Sequence, residues 1–463
     1  KESASSMALF KQGNDNHGIR SSSVEISFCE VGPSMIHKRG LFAARDLAVG
    51  ETVLVESPLV VQQDLDNKQE VLACGWCMGF VDGGAELIGP LGQGKTTRQA
   101  VFEKLAADPR VCSCGEMYCC TSCKTRHAAS GHEALCCGPL TEDQMDHALI
   151  RFKLLAVQSN EIFLLAAEAL ARCLAESSYG QSFSDNDVDE DDGDAAVALF
   201  ESRFGAFTGL PWPDVILNAH ELQDKKDKAE DKEIRALRKK LVELCGDAAA
   251  LLVEALSPRF PNGAKKLITA ERISCLIGTF EQNNIGVRAF APVLPPVPPT
   301  PFAFFDPGDG IQPPLQGTAL YSVACCANHS CSPTLDVIYQ QEPSYAEALK
   351  VRLVTIRPVA KGEELTICYV DTTRSRSRRR KETTNYGFIC NCPRCDKAES
   401  EDYDDDEDDD GDECADYSGE DEEAETDDED LRDRVTRPKT PSELREEQMN
   451  DEGRDLDRAY REE

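Results

Sequence analysis

The chain holds 463 residues, enough for two to three domains with a sizeable core, and no apolar run approaches the roughly 18 residues that span a bilayer. The formal charge of −34 belongs largely to one tract: residues 398–430 carry 22 acidic side chains and no Lys or Arg, and without them the balance is −12. Twenty-one cysteines and no signal-like start argue against a disulfide framework and for metal or thiol chemistry in a reducing compartment, so a soluble protein of nucleus and/or cytoplasm is expected.

Residues 1–23 are polar and Ser-rich and are read as disordered; because the first residue is Lys, the natural amino terminus is expected upstream. From Val24 to Val61 short apolar alternations surround Lys38-Arg39-Gly40-Leu41-Phe42 and a turn at Ala48-Val49-Gly50-Glu51, which predicts a small antiparallel sheet with glycine turns. Gly40 is either a plain turn or a point where backbone approaches a ligand closely.

A cysteine block follows: Cys74-x2-Cys77, Cys112-x-Cys114, Cys119, Cys120, Cys123, His132, Cys136 and Cys137. Eight ligands suffice for two tetrahedral zinc ions, each wanting four thiolates or imidazoles at about 2.0 to 2.3 Å. The run Cys119-x3-Cys123-x8-His132-x3-Cys136 sets its ligands about a turn apart on short helices. Inside the block, Gly89-Pro-Leu-Gly-Gln-Gly94-Lys95-Thr96 matches the phosphate-loop pattern, but no buried parallel sheet with a Mg²⁺-binding acid accompanies it. It is read as a glycine-rich surface loop.

From Thr141 to Tyr179 the apolar residues recur at i, i+3 and i+4, which predicts helix, and an acidic loop is expected at 184–194. More helix is predicted over Asp214–Asn218, along the charged run ending at Leu256, and over Lys265–Phe280. Between Leu276 and Arg288 an apolar lead meets a Glu-Gln-Asn-Asn cluster and returns to strand-like alternation; the adjacent asparagines either cap a turn or contact a ligand. Pro292–Pro314 cannot be helical and is read as an inserted loop, a stiff connector or a polyproline II ligand.

Ser322 to Pro333 is an apolar run cut by Asn328-His329-Ser330-Cys331 and stopped at the proline. Ile356 to Asp371 reads as a strand, a turn at Lys361-Gly362 and a second strand ending on Tyr369. Cys390, Cys392 and Cys395 are one ligand short of a tetrahedral set, with Cys331 a candidate fourth. Arg374–Lys381 is read as a solvated helix face, against a nuclear-import or nucleic-acid patch, and the acidic tail as a solvated segment or a site for a basic partner.

The cysteine block resembles a MYND finger. Carried over, Cys74, Cys77, Cys119 and Cys123 hold one zinc, and Cys112, Cys114, His132 and Cys136 the other. The second pair is C-x-C where that family usually has C-x2-C, and 34 residues separate Cys77 from Cys112, so Cys120 and Cys137 stand as alternative ligands. KRGLFAARDLAVGE, the cysteine block, FEQNNIGV, YSVACCANHSCSP, KGEELTICYVD and YGFICNCPRC together resemble a SET domain interrupted by a MYND finger, as in the SMYD-type lysine methyltransferases and related plant and protist proteins.

That resemblance implies an α+β fold of SET-type small β-sheets with a knot-like core, interrupted by the zinc finger and a helical insert and closed by a zinc-binding post-SET flap. The implied boundaries are a first SET part at 24–72, the finger at 73–137, the helical insert at 138–264, the SET core at 265–372 with its Pro-rich loop at 291–315, the flap at 373–396 and the acidic tail at 397–463. It implies methyl transfer from S-adenosylmethionine to a protein lysine, and about three Zn²⁺. Lys38, Arg39, Gly40, Asn283 on the strand before the Pro-rich insert, Asn328, His329, Tyr369 and Phe388 are the implied cofactor contacts, the Asn328 side-chain amide among them. Tyr369 is the implied catalytic residue, its hydroxyl beside the transferring methyl. Tyr386 and Phe388 are the implied walls of the lysine channel, and Cys331 completes the third zinc set. The expected partners are a protein substrate, histone or other, and proteins bound through the finger and tail; no membrane, no direct nucleic-acid contact and a monomer are expected. The competing class is a catalytically silent zinc-finger scaffold.

Overall fold

The structure, a computed structural model, describes residues 24–36, 38–81, 108–141, 144–181, 192–207, 209–222, 230–289, 314–340 and 350–396. The readings made for 1–23, for the glycine-rich loop at 89–96, for most of the acidic loop at 184–194, for 291–313 and for 397–463 lie outside the described residues.

The amino-terminal segment makes five strands, β1 (Val24–Ser27), β2 (Cys29–Pro33), β3 (Arg39–Ala43), β4 (Thr52–Glu56) and β5 (Val60–Gln63). They do not form the single sheet expected of them. They are shared among three sheets completed by strands from the far end of the chain, β6 (Ile285–Ala289), β7 (Leu315–Leu320), β8 (Asn328–His329), β9 (Leu335–Gln340), β10 (Lys350–Thr355) and β11 (Glu364–Ile367), with β3, β4 and β5 making the direct pairings. The orders are β1-β4-β10-β9, β2-β3-β11-β8 and β5-β7-β6. Strands of four to six residues gain little from a local hairpin alone. Val53, Leu54 and Val55 on β4 are all buried, which a one-sided hairpin cannot achieve, so β4 runs between β1 and β10. Leu41, Leu315, Leu353 and Leu365 complete the core of these sheets.

The carboxy-terminal pairings also differ in detail from the sequence reading. β10 ends at Thr355, before Ile356; the turn at Lys361-Gly362 is present, with Gly362 at φ +80°; and β11 ends at Ile367, two residues short of Tyr369. The run before Asn328 is a 3-10 turn, Ala324–Cys326, rather than a strand.

The helical part comprises α1 (Thr121–His127) in the cysteine module, then α2 (Ala148–Ser159), α3 (Ile162–Gln181), α4 (Asp192–Phe204), α5 (Trp212–Leu222), α6 (Glu230–Leu256), α7 (Pro261–Leu267) and α8 (Ala270–Asn283). The periodic stretch from Thr141 breaks at Asn160, whose backbone is extended and whose Oδ1 accepts the Ile162 N–H at 3.0 Å to start α3. Pro261 opens α7, where a missing N–H costs nothing. The Thr269 hydroxyl caps α8 by accepting from the Arg272 N–H at 3.1 Å. Phe152, Leu165, Leu170, Leu256 and Phe280 fill the helical core. Asn283 is the last residue of α8 and not a strand residue: its amide donates to the Thr279 carbonyl at 2.8 Å, one turn back, and β6 starts only at Ile285. The end of α8 thereby carries polar side chains from the helical core to the edge of the sheets.

Candidate active site and metal centres

Three sets of four ligand atoms come together, each set within 4.8 Å: Cys74, Cys77, Cys119 and Cys123; Cys112, Cys114, His132 and Cys136; Cys331, Cys390, Cys392 and Cys395. Cys120 and Cys137 stand outside them. The Cys120 sulfur caps α1 by accepting from the Cys123 N–H at 3.4 Å, and the Cys137 sulfur lies 3.8 Å from Lys153 Nζ.

The electrostatics of the sets fit a bound dication. Hydrogen bonds from Cys119, then Cys123, hold the Cys74 thiol far below its usual range, and Cys331 above all draws the Cys390 thiol down to about 3. Their neighbours are pushed the other way: Cys123 rises chiefly against Cys119, and Cys331 chiefly against Cys390. Four clustered sulfurs cannot all ionise without a cation, and four-coordinate zinc with sulfur and imidazole donors supplies that charge. The buried Arg379 guanidinium adds a second positive group, 4.0 Å from the Cys395 sulfur.

Beside the third set opens a cleft of about 360 Å³. Lys38, Arg39, Asn283, Asn328, His329, Tyr369, Tyr386 and Phe388 line it, and the helical insert contributes Phe207, Leu210 and Asn218, which sequence reasoning did not single out. Gly40 is not part of the lining; a Cβ there would strike the Glu364 carboxylate and sit 2.9 Å from Ser34 Cβ, so its role is close packing under the cleft. The left-handed backbone of this segment falls instead on Lys38, at φ +35°.

The Asn328 amide nitrogen is held by three protein acceptors. It donates to the Arg39 carbonyl at 2.8 Å, to Glu364 Oε1 at 2.7 Å and to Ser34 Oγ at 3.2 Å, which uses both of its hydrogens. Ser34 in turn donates to Glu364 at 2.7 Å. These bonds make Asn328, which itself lines the cleft, a brace that ties the Arg39 backbone to Glu364. Pairing of β8 alongside β11, with Asn328 opposite Thr366, puts it there.

His329 connects the cleft to the metal set. Its Nδ1 accepts the Tyr369 N–H at 3.0 Å, which leaves the ring proton on Nε2, 3.4 Å from the Cys331 sulfur. Tyr369 donates its hydroxyl to the Ala327 carbonyl at 2.8 Å, and burial pushes that hydroxyl well above the usual phenol value. Its ring packs at 5.0 Å from Tyr386 and 6.3 Å from Phe388. Adjoining the cleft is a smaller cavity of about 40 Å³, and the two share Gln282, Asn283, Cys325, Tyr369 and Tyr386.

A further anchor was not singled out from the sequence. Glu56 on β4 is fully buried and accepts the backbone N–H groups of Ser322 at 2.7 Å, Val323 at 3.1 Å and Ala324 at 2.9 Å, fixing the 3-10 turn that leads into Asn328. Only its position just before a proline turn, at the end of an apolar strand, hinted at burial.

Residues 38–370 match the SET domain family. The histone-lysine N-methyltransferase ATXR2 of Arabidopsis thaliana is 28% identical over 296 residues, a match that covers 60% of this chain and 60% of that relative. The human protein-lysine N-trimethyltransferase SMYD5 is 26% identical over 441 residues, covering 88% of this chain and 94% of the relative. A SET and MYND domain-containing protein of Dictyostelium discoideum is 32% identical over a shorter stretch, 18% of this chain and 22% of its own length. The family match runs from the strained Lys38 through the brace at Asn328 to one residue past Tyr369, and the chain belongs to the SET domain family.

Proposed function

We propose that this chain transfers a methyl group from S-adenosylmethionine to a lysine side chain of a protein. The observation that carries the reading is the pair of cavities, one of about 360 Å³ and one of about 40 Å³, with Tyr369 and Tyr386 in the lining of both. The larger has the size of an ordinary cofactor site and the smaller admits a thin chain. S-Adenosylmethionine brings a methyl group on a positively charged sulfur, which leaves as a neutral thioether when an amine displaces it, so the protein's task is alignment more than acid or base work.

The residues suit that task. The brace of Asn328, Ser34 and Glu364 presents Arg39 backbone to the cleft, and Lys38, Asn283, His329 and Phe388 supply the rest of the cofactor contacts. Because the Tyr369 proton is given to the Ala327 carbonyl, the hydroxyl offers the cleft a lone pair, which favours a carbon carrying partial positive charge. The narrow cavity's lining includes Ile285, Ala327, Val337 and Ile367, and such apolar surroundings favour the neutral form of an entering amine. His329 ties the Tyr369 backbone to Cys331, so the third zinc set positions the catalytic tyrosine as well as the flap.

The relatives' names divide between histone-lysine and protein-lysine methyltransferases, and the acceptor here is read as a protein lysine in nucleus or cytoplasm. The two-zinc module is read as a contact surface for other proteins. The test incubates the full chain with methyl-labelled cofactor and core histones or cell lysate and looks for labelled methyl-lysine. No transfer, together with no calorimetric binding of S-adenosylhomocysteine, would leave the silent scaffold as the answer.

A further inference from the structure

The corner between α8 and β6 leaves a polar side chain unsatisfied. Among the described residues, both Nδ2 and Oδ1 of Asn284 are buried with no hydrogen-bond partner. Its backbone N–H is held by the Phe280 carbonyl at 2.9 Å, so the residue itself is fixed in place. The preceding Asn283 turns its amide back onto α8, whereas Asn284 lines the narrow cavity together with Tyr369, Tyr386 and Cys368. Burying an amide unpaired in this way carries a desolvation cost that Leu, of nearly the same shape, would avoid. The slot combines apolar Ile285, Ala327, Val337 and Ile367 with the polar Gln282, Asn283, Tyr369 and Tyr386; an unpaired carboxamide among them is placed to meet a small ligand that hydrogen-bonds, and its carbonyl oxygen suits an N–H donor.

We infer that Asn284 is the hydrogen-bond partner of the acceptor amine, and that it influences how many methyl groups the amine receives. This rests on the methyltransferase reading above. A neutral primary amine has one lone pair and two N–H bonds. Transfer requires the lone pair to point at the methyl carbon; an N–H held by Asn284 Oδ1 fixes rotation about the Cε–N bond and aims it there. In each transfer the nitrogen lone pair forms the N–C bond while the C–S bond breaks and its electron pair stays on sulfur; the ammonium proton passes to water before the next round. A monomethylated neutral amine still has one N–H to give and a dimethylated one has none. Asn284 therefore assists the first and second transfers and not the third.

The experiment compares the full chain with its Asn284→Leu variant, using labelled S-adenosylmethionine and a lysate of cell proteins. Acid hydrolysis followed by chromatography resolves mono-, di- and trimethyl-lysine whatever the acceptor protein, and S-adenosylhomocysteine binding is measured in parallel by calorimetry. The expected result is a roughly tenfold lower rate of first transfer, the effect of one lost hydrogen bond of about 1.4 kcal/mol. At matched total transfer the trimethyl fraction should rise, and cofactor-product affinity should stay within about twofold. Equal rates and equal methyl distributions in both proteins would overturn the assignment of Asn284 while leaving the enzyme reading intact. A variant that loses S-adenosylhomocysteine binding would place Asn284 on the cofactor side and overturn it as well. No methyl-lysine from the unaltered chain would bring down both. Should the Leu variant lose cooperative unfolding, Asn284→Ala is read by the same criteria.

Discussion

Glu56 offers a quantitative test of how the cleft is held. Burial pushes its carboxyl up to about 7 from an ordinary 4.5, against the pull of the Ala324, Val323 and Ser322 amides. A carboxyl whose folded pKa is raised adds stability that is fully present below the unfolded value and is lost as pH climbs through the folded one. The whole effect is about 3 kcal/mol, of which roughly 1 kcal/mol falls between pH 6 and pH 8. Glu56→Gln removes this titration, so urea unfolding of both proteins across that range isolates it, because the zinc thiolates titrate alike in the two and cancel. The unfolding free energy of the parent relative to the variant should fall by roughly 1 kcal/mol from pH 6 to pH 8. A difference that stays flat, or rises, would refute the assignment of a proton to this buried carboxyl. The strand partners Val24 and Val351 of Glu56 bring no competing charge, and the thiols of Cys29, Cys325 and Cys326 are the groups that feel its charge.

The other consequences are read more simply. Lys38 holds a left-handed backbone at φ +35°, which costs a non-glycine residue about 1 kcal/mol, so Lys38→Gly should raise the melting temperature; an unchanged or lower value would show the strain is not there. Metal analysis should find three zinc ions per chain, one for each set, and two in Cys331→Ser, with methyl transfer lost although the Asn328 brace is intact. Equal zinc content in both proteins would exclude Cys331 as a ligand.

What the sequence made legible follows from the chemistry of each residue. Cysteine and histidine spacing is read reliably because a zinc ion imposes a ligand number and reach that few other roles share, and the three sets assemble with the pairing the resemblance implied. The fragments around Asn328, Tyr369 and Phe388 were legible as a combination, and all three residues line one cleft. The sheets were not, because four- and five-residue strands at 24–63 are completed by strands some 250 to 325 residues later, and alternation says nothing about a distant partner. Asn283 stood on a strand only by the resemblance, whereas the Thr269 cap and the apolar stripe of α8 carry the helix through it. Glu364 and Ser34 gave no local signal, and Glu56 only its place at the end of an apolar strand, since their partners lie hundreds of residues away in sequence. Asn284 could be weighed only once its lack of a partner was visible.

The central claim is that Tyr369 works on the methyl group in flight and not on holding the cofactor. The direct test is Tyr369→Phe in the full chain, with turnover of labelled S-adenosylmethionine and calorimetric affinity for S-adenosylhomocysteine measured on the same preparation. Turnover should fall by about 100-fold or more while affinity stays within about threefold. Unchanged turnover, or a loss of affinity as large as the loss of turnover, would contradict it.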